Sequence, residues 1–336
     1  MTDYPLAAQC MLEGQELMPC APGWTYPPVF AFFMVPFTFL PMWLKNALWY
    51  TLSISAIYVG FKLCEKIVTK SLSLKFEEKD IFWFRALTFL LSFKFILSVL
   101  ENQAYDFLIF FFVVIGIYGL VENKNFSASL GLSFAAAFKA TPLLFFPYIL
   151  FNKKWKTFTL CVALFLFISF LPDIFFVQKN SQTGYFATWF QSIAKQALPD
   201  KGGTLNKSFG KGSNPLNQSL RSFVYRIASG LKLDQYFHGI LYTVYGLLLF
   251  LICYLLLKSS KLENPIVLDA SVLLVGMLML SPMSSKSHFV VLIVPNMVIA
   301  GYLIQQRNFQ SIFAFLLFSS FAFSSLTSKD IIGREL

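Results

Sequence analysis

Residues 101–156 read ENQAYDFLIFFFVVIGIYGLVENKNFSASLGLSFAAAFKATPLLFFPYILFNKKWK. They hold two apolar runs, and the second carries Lys139 at its middle, followed by Ala140-Thr141-Pro142. A lysine inside an apolar helix costs roughly 2.5–3.5 kcal/mol on insertion scales. Pro142 breaks helical hydrogen bonding, so Lys139 is expected at a bend. Read as one helix, residues 127–151 would deliver the next loop to the wrong side. Two half-length helices hinged at Lys139–Pro142 return both ENKN and NKKWK to the same side, and the hinge is therefore expected.

Working outward, the chain is 57% hydrophobic and 18% aromatic with 13% charged residues, and apolar runs recur from residue 43 to residue 326. Lipid admits only helices or closed barrels, and these runs are too long and uninterrupted for barrel strands. The expected fold is an all-α polytopic membrane bundle with short re-entrant or half-length helices and one large outer loop. Spans are expected at 43–63, 81–98, 104–121, 157–177, 238–257, 266–280, 289–304 and 309–326. A shorter apolar helix is expected at 29–41, bounded by Pro28 and Pro41 and broken by Pro36. The organisation read from this is one membrane domain over 1–336. It comprises a polar outer loop (1–27), N-terminal helices (28–177), a large outer loop (178–237) and C-terminal helices (238–326).

The net charge is +10, and much of it falls in short loops: Lys62, Lys66, Lys70, Lys75 and Lys79, then Lys153, Lys154 and Lys156, then Lys258 and Lys261. The positive-inside rule places these in the cytoplasm. They also attract anionic lipid, and they do not argue for nucleic acid. Residues 1–27, Glu101-Asn102-Gln103, the 178–237 loop, Ser281–His288 and the Lys139 hinge then share the opposite face, where a site can form between helices. Cys64, Cys161 and Cys253 lie in or beside apolar runs and read as packing residues. Cys10 and Cys20 share the N-terminal segment, where spacing leaves both a disulfide and free thiols open. No CxxC or Cys/His cluster points to a metal.

Several residues on the outer face carry chemistry. Lys139 either snorkels to an interface or meets a phosphate or carboxylate inside the bundle. Asp106, one turn into its helix, is a candidate partner for Lys139 or Arg85. Arg221 follows Asn217-Gln218 at the start of an amphipathic helix. Its guanidinium fork suits phosphate oxygens and the two amides add neutral donors, whereas the plainer reading is a solvated arginine beside a capping asparagine. His288 either serves a leaving phosphate or simply opens a helix. Gln103 and Asn102 are caps or headgroup donors. Asp3 is either a general base on an acceptor hydroxyl or a residue in a frayed terminus, with Glu13 and Glu16 as other carboxylates upstream of Tyr26-Pro27-Pro28.

Five pieces in order resemble glycosyltransferase family 87, the polyprenyl-phosphate-sugar-dependent membrane mannosyltransferases of the GT-C class. Asp3-Tyr4, Ala7-Ala8 and Leu12-Glu13-Gly14, followed by Tyr26-Pro27-Pro28 and Leu40-Pro41, resemble the family's first outer loop. Glu101-Asn102-Gln103 resembles its Gly-Gln-x-Asn turn, and Lys139-Ala140-Thr141-Pro142 its Lys-x-Thr-Pro hinge. Asn217-Gln218-Ser219-Leu220-Arg221 resembles its Asn-Gln-Ser-Leu-Arg loop, and Ser281-Pro282-Met283-Ser284 through His288 its Ser-Pro-x-Ser-Trp-x-His-His segment. Asn102, Tyr105, Ser285 and Ser287 depart from those patterns, and the membrane helix that precedes the loop aspartate in the family is not seen here.

The resemblance implies a bacterial inner-membrane enzyme that acts on the extracytoplasmic face without a cofactor. A sugar, mannose by family, would pass from polyprenyl phosphate to a glycan or glycolipid acceptor with inversion. By the same resemblance Asp3 is the base, Lys139, Arg221 and His288 hold the phosphate, and Gln103, Asn217 and Gln218 contact substrate. Two other functions use the same features: a lipid-linked sugar flippase, which would be expected to show inverted repeats, and an inactive homologue lacking its first helix.

Overall fold

The computed structural model describes residues 3–179, 183–197, 217–307 and 312–326. Among them every regular element is helical. The α-helices are α1 (Asp3–Leu12), α2 (Leu17–Cys20), α3 (Pro28–Thr38), α4 (Met42–Ser71), α5 (Glu78–Glu101), α6 (Asp106–Val121), α7 (Asn125–Phe138) and α8 (Phe145–Phe151). They continue with α9 (Trp155–Phe175), α10 (Tyr185–Ala197), α11 (Leu220–Gly230), α12 (Phe237–Ser259), α13 (Ile266–Leu280), α14 (Ile293–Gln306) and α15 (Ile312–Leu326). Short 3₁₀ turns at Thr141–Leu144, Asp234–Tyr236 and Lys286–Leu292 lead into α8, α12 and α14. Helices α4, α5, α9, α12 and the Lys286–Gln306 unit are long and apolar enough to cross a bilayer, and α3, α6, α7, 141–151 and α13 are shorter apolar helices. The chain is an all-α polytopic membrane protein. Tyr242, Leu247, Phe250 and Tyr254 on α12 stand exposed, as lipid-facing side chains do.

The hinge expected at Lys139–Pro142 is present. Helix α7 ends at Phe138, and the Lys139 backbone is extended (φ −154°, ψ 127°). Pro142 then sits in a 3₁₀ turn before α8. Proline has no N–H to donate to the Phe138 carbonyl and so cannot continue α7, and the run divides here.

The hinge is held by an unusually close pair, α6 and α7. A Cβ on Gly119 would lie 2.2 Å from the Ala128 nitrogen, and one on Gly131 would lie 2.5 Å from both the Gly116 nitrogen and the Phe112 oxygen. Backbone thus meets backbone where a side chain has no room. Helix α7 is tied in turn to α9 by Ser129 Oγ, which donates to the Thr157 carbonyl (3.0 Å), and Ser133 Oγ, which donates to the Cys161 carbonyl (2.9 Å). Because α6 and α7 run antiparallel, Asp106 at the start of one and Lys139 at the end of the other reach the same end of the bundle. The lysine-rich turns gather at the other end. Lys70 pairs with Glu122 (2.9 Å), and Lys154 Nζ donates to the Leu120 carbonyl (3.3 Å) and to Asn123 (3.2 Å). Helix α6 separates the two ends by roughly 24 Å at 1.5 Å per residue.

Four segments differ from the sequence expectation. The N-terminal stretch expected as a polar loop over 1–27 holds, from residue 3 on, α1 and α2, joined by a Cys10–Cys20 disulfide. Buried Ala7, Ala8 and Met11 anchor α1, and the Tyr4 ring packs against Trp24, Tyr26, Phe30, Trp49 and Tyr105. Helix α4 continues through Lys62, Lys66 and Lys70 to Ser71, past the expected end at 63, because long basic side chains can lie along an apolar helix and keep their charge in water. In the 178–237 segment, read as a large loop, Tyr185–Ala197 forms α10, while α11 starts at Leu220 where an amphipathic helix is expected. Pro36 lies inside α3 without ending it.

Gly131→Val should wedge α6 from α7 and cost about 1–3 kcal/mol, in the range of overpacked cores. The expected result is a clearly lower unfolding temperature for the purified protein in detergent, and an unchanged melt would mean that the helices need not approach so closely.

Candidate active site

Asp106 lies in the first turn of α6 and is 3% exposed. Three groups converge on its carboxylate. Lys139 Nζ donates to Oδ1 at 2.9 Å, Ser287 Oγ donates to Oδ2 at 3.0 Å, and His288 Nε2 stands 3.8 Å from Oδ1. Of the two partners the sequence offered Asp106, the structure selects Lys139. Arg85 is engaged instead with Glu65, its Nε donating at 3.0 Å. His288 is fixed within its 3₁₀ turn by the Ser285 N–H, which donates to Nδ1 at 3.3 Å. Asp106, Lys139, Thr141, Ser281, Ser284 and His288 border a narrow cavity of about 10 Å³.

An aromatic cluster connects this group to α1. The Tyr105 ring centroid is 6.0 Å from Lys139 Nζ, 4.7 Å from the Tyr26 ring and 4.6 Å from the stacked Phe30 ring. Burial pushes the Tyr26 phenol above its ordinary range, and the carboxylates of Asp106 and Asp3 push it further in the same direction. Asp3, exposed in the first turn of α1, and the buried Asp106 thus act on one tyrosine. Gln103, with a left-handed backbone (φ 48°), lies beside the cluster. Its carbonyl accepts from Trp49 Nε1 (3.0 Å), and its side chain donates to Asn46 (3.4 Å).

The segment before α11 is clamped to the turn after α13. Asn217 is 1% exposed, its Nδ2 donates to the Pro282 carbonyl (3.3 Å), and its Oδ1 accepts the N–H groups of Ser219 (3.1 Å) and Ser284 (3.2 Å). Gln218 N–H donates to the Ser284 carbonyl at 2.7 Å. Ser219 is the N-cap of α11, its Oγ accepting the Ser222 N–H at 3.2 Å. Asn217 therefore joins two backbones, while the Gln218 side chain stays exposed. Residues 178–179 and 183–189 close over α1 and its neighbours. Lys179 N–H donates to the Gly14 carbonyl (2.8 Å), Tyr185 Oη to that of Met11 (3.2 Å) and Trp189 Nε1 to that of Thr25 (3.1 Å). The described parts of the five polar elements that the sequence placed on one face meet at one end, while residues 180–182 and 198–216 of the large loop lie outside the described residues.

A larger cleft of about 520 Å³ adjoins the Asp106 group across Leu278, which borders both cavities. Its walls include Leu91 and Phe95 of α5, Phe289 and Leu292, and Leu317 and Phe321 of α15. Among these apolar walls stand Lys94, Lys286, Arg226 and Gln218. Arg226 also donates to the Asn217 carbonyl (3.2 Å) and to Ser222 Oγ (3.0 Å). Arg221, one turn earlier on α11, borders neither cavity and lies near Tyr245 of α12. Lys94, Lys286 and Arg226 were not among the candidates from the sequence. The signal was present for Lys94, a lysine inside an apolar run like Lys139.

The model of glycosyltransferase family 87 matches residues 24–282, most of the chain. The protein belongs to glycosyltransferase family 87. No curated protein and no solved structure matches it. As a family 87 member with five long apolar helices among the described residues, it is a membrane glycosyltransferase, acting on a sugar donor and an acceptor. The matched region takes in the Lys139 hinge, the Asn217–Arg226 segment and Ser281, so the elements that form both cavities lie largely within it.

Removing one partner of a buried ion pair strands the other, at a cost of about 3–5 kcal/mol, while replacing both with apolar residues is often tolerated. Lys139→Met should therefore destabilise the family 87 enzyme strongly, and Lys139→Met combined with Asp106→Leu should regain much of the loss. Thermal melts of the single and double variants read this directly, and additive losses would contradict the pairing.

Proposed function

We propose that the enzyme transfers a hexose, mannose by family resemblance, from a polyprenyl-phosphate donor to a glycan or glycolipid acceptor, with inversion, on a GT-C-type bundle. The observation that carries this reading is the cleft. An isoprenoid phosphate is a long apolar chain ending in one anionic group. An apolar cavity with two lysines, an arginine and an amide among its walls, directly beside a buried polar cluster, suits both parts of it.

In this reading the donor chain lies between α5, α13 and α15, its phosphate meets Lys94, Lys286 and Arg226, and the sugar points toward the Asp106–Lys139–His288 group. The acceptor hydroxyl attacks the anomeric carbon from the face opposite the phosphate. A new C–O bond forms as the old one breaks, the bonding pair leaves with the phosphate oxygen, and the hydroxyl proton goes to Asp3. Charge accumulates on the leaving phosphate as that bond breaks, so fixed cations in a low-dielectric cleft stabilise the transition state more than the ground state. The donor supplies the chemistry, and the chain binds, orients and neutralises.

The lysine-rich turns sit at the opposite end of α6, and the positive-inside rule puts that end in the cytoplasm. The same rule supports an extracytoplasmic reaction, consistent with an oxidised Cys10–Cys20 pair beside the site. A bacterial inner membrane is the compartment this reading favours. Arg221 carries the phosphate role by resemblance, but on geometry Arg226 is the arginine that reaches the cleft.

Transfer of labelled mannose from polyprenyl-phosphate-mannose in proteoliposomes tests this proposal. Arg226→Ala and Lys286→Ala should each lower kcat/KM about 100-fold, the scale for loss of one preorganised donor, and Arg221→Ala should lower it less. Full activity in both cleft variants would remove the phosphate from this cleft. Asp3→Asn should reduce turnover by about 100-fold or more while donor binding persists, whereas retained turnover would move the base to Glu13 or Glu16.

A further inference from the structure

Helix α11 carries more apolar surface than the protein covers. Val224 and Ala228 are buried against Phe237 and Leu241 of α12. The adjoining stripe of Phe223, Ile227 and Leu231 is 55%, 47% and 65% exposed. At 100° per residue these five side chains form one continuous apolar arc, of which α12 covers only one edge. Ser222, Arg226 and Ser229 occupy the other side of the helix. A water-facing helix has no physical reason to present such a stripe, and its position suggests what covers it. Leu231 is followed by only a short 3₁₀ turn before α12, a span whose side chains Tyr242 and Leu247 are themselves exposed. The α11 stripe is thus continuous along the chain with a helix that presents a lipid-facing surface, and α11 packs on that helix through Val224 and Ala228. Lys232 stands exposed just past it, where it suits lipid headgroup phosphates.

We infer that α11 is an interfacial helix, with Phe223, Ile227 and Leu231 seated in the headgroup–acyl boundary of the bilayer and Ser229 turned to water. An amphipathic helix with such a stripe binds lipid surfaces in this manner. The consequence concerns access. Phe223 belongs both to the exposed stripe and to the wall of the 520 Å³ cleft, and Arg226 lines the same wall. The cleft therefore meets lipid along α11, and an amphiphile enters it sideways from the bilayer. What passes along this route rests on the lipid-linked donor reading. The seating of α11 does not, and it is read without donor or turnover, so the two ideas fail separately.

The test is site-directed spin labelling of the full chain in lipid bilayers. Cys253, the exposed free cysteine, is replaced by serine, and Cys64 and Cys161 are buried. Labels are placed one at a time through Ile227→Cys, Leu231→Cys and Ser229→Cys, with Leu247→Cys on α12 as the lipid reference. All four positions are exposed, so each tolerates a label. The expected result is that labels at 227 and 231 collide more with dissolved oxygen than with a water-soluble nickel chelate, as at 247, while the label at 229 shows the reverse. Labels at 227 and 231 that favour nickel as strongly as 229 would overturn the interfacial placement. So would protection of 227 and 231 from both reagents, which would mean that protein and not lipid covers the stripe.

Discussion

The pairing of Lys139 with Asp106 is the constraint on which the rest of this structure depends. Neither charge is tolerable alone in an apolar bundle. Side by side, and bonded further to Ser287, they can be buried, and in being buried they join three distant parts of the chain. The turn at Lys139 exists because Pro142 ends one helix and starts another. The turn reaches Asp106 because three glycines let α6 and α7 touch backbone to backbone. The 281–288 segment is then drawn in through Ser287 and His288, and it carries Asn217 and the start of α11 with it. A break at any of these links would disperse the polar cluster and not merely alter one contact.

The same arrangement separates two tasks. The buried cluster is compact and already neutralised, which suits a rigid floor that orients polar groups. Across Leu278 lies a wider cleft whose cations are arrayed among apolar walls. A lipid phosphate needs both: solvent-free room for its chain and preorganised charge for its head. The tyrosine and tryptophan cluster around Tyr26 and Tyr105 completes the site by setting α1, and Asp3 with it, over the same end. The disulfide between Cys10 and Cys20 closes this lobe without drawing on the bundle.

Much of this was legible in the sequence, for physical reasons that differ by element. Five of the expected spans declared themselves because lipid demands long apolar runs, whereas those at 104–121 and 266–280 form shorter apolar helices and the one at 309–326 lies partly outside the described residues. The hinge was legible because a lysine and a proline together in such a run leave few alternatives, whereas the sequence offers Asp106 both Lys139 and Arg85 and only packing selects the lysine. The helical form of α1 was not legible: its anchors are alanines and a tyrosine whose partners lie on α3, α4 and the turn before α6, so local periodicity carried no trace of them. The cleft was hidden for a related reason. Lys94, Arg226 and Lys286 sit on three elements more than 50 residues apart in sequence, and only packing brings them together. Arg226 was further masked by Arg221, which stands in the more conspicuous motif but points elsewhere. For Asn217 the sequence leaves both a substrate-facing amide and a capping residue open, and in the structure its polar atoms join two backbone segments.

The most direct measurement is photo-crosslinking of the reconstituted protein with a polyprenyl-phosphate-mannose analogue carrying a diazirine in the isoprene unit next to the phosphate, followed by peptide mapping. Labelling should concentrate on α5 around Leu91–Phe95, on residues 286–292 and on α15, and excess unlabelled polyprenyl phosphate should suppress it while a neutral polyprenol should not. Labelling spread over the lipid-facing side of α12, or equal competition by the neutral alcohol, would contradict a cleft built to hold a lipid phosphate.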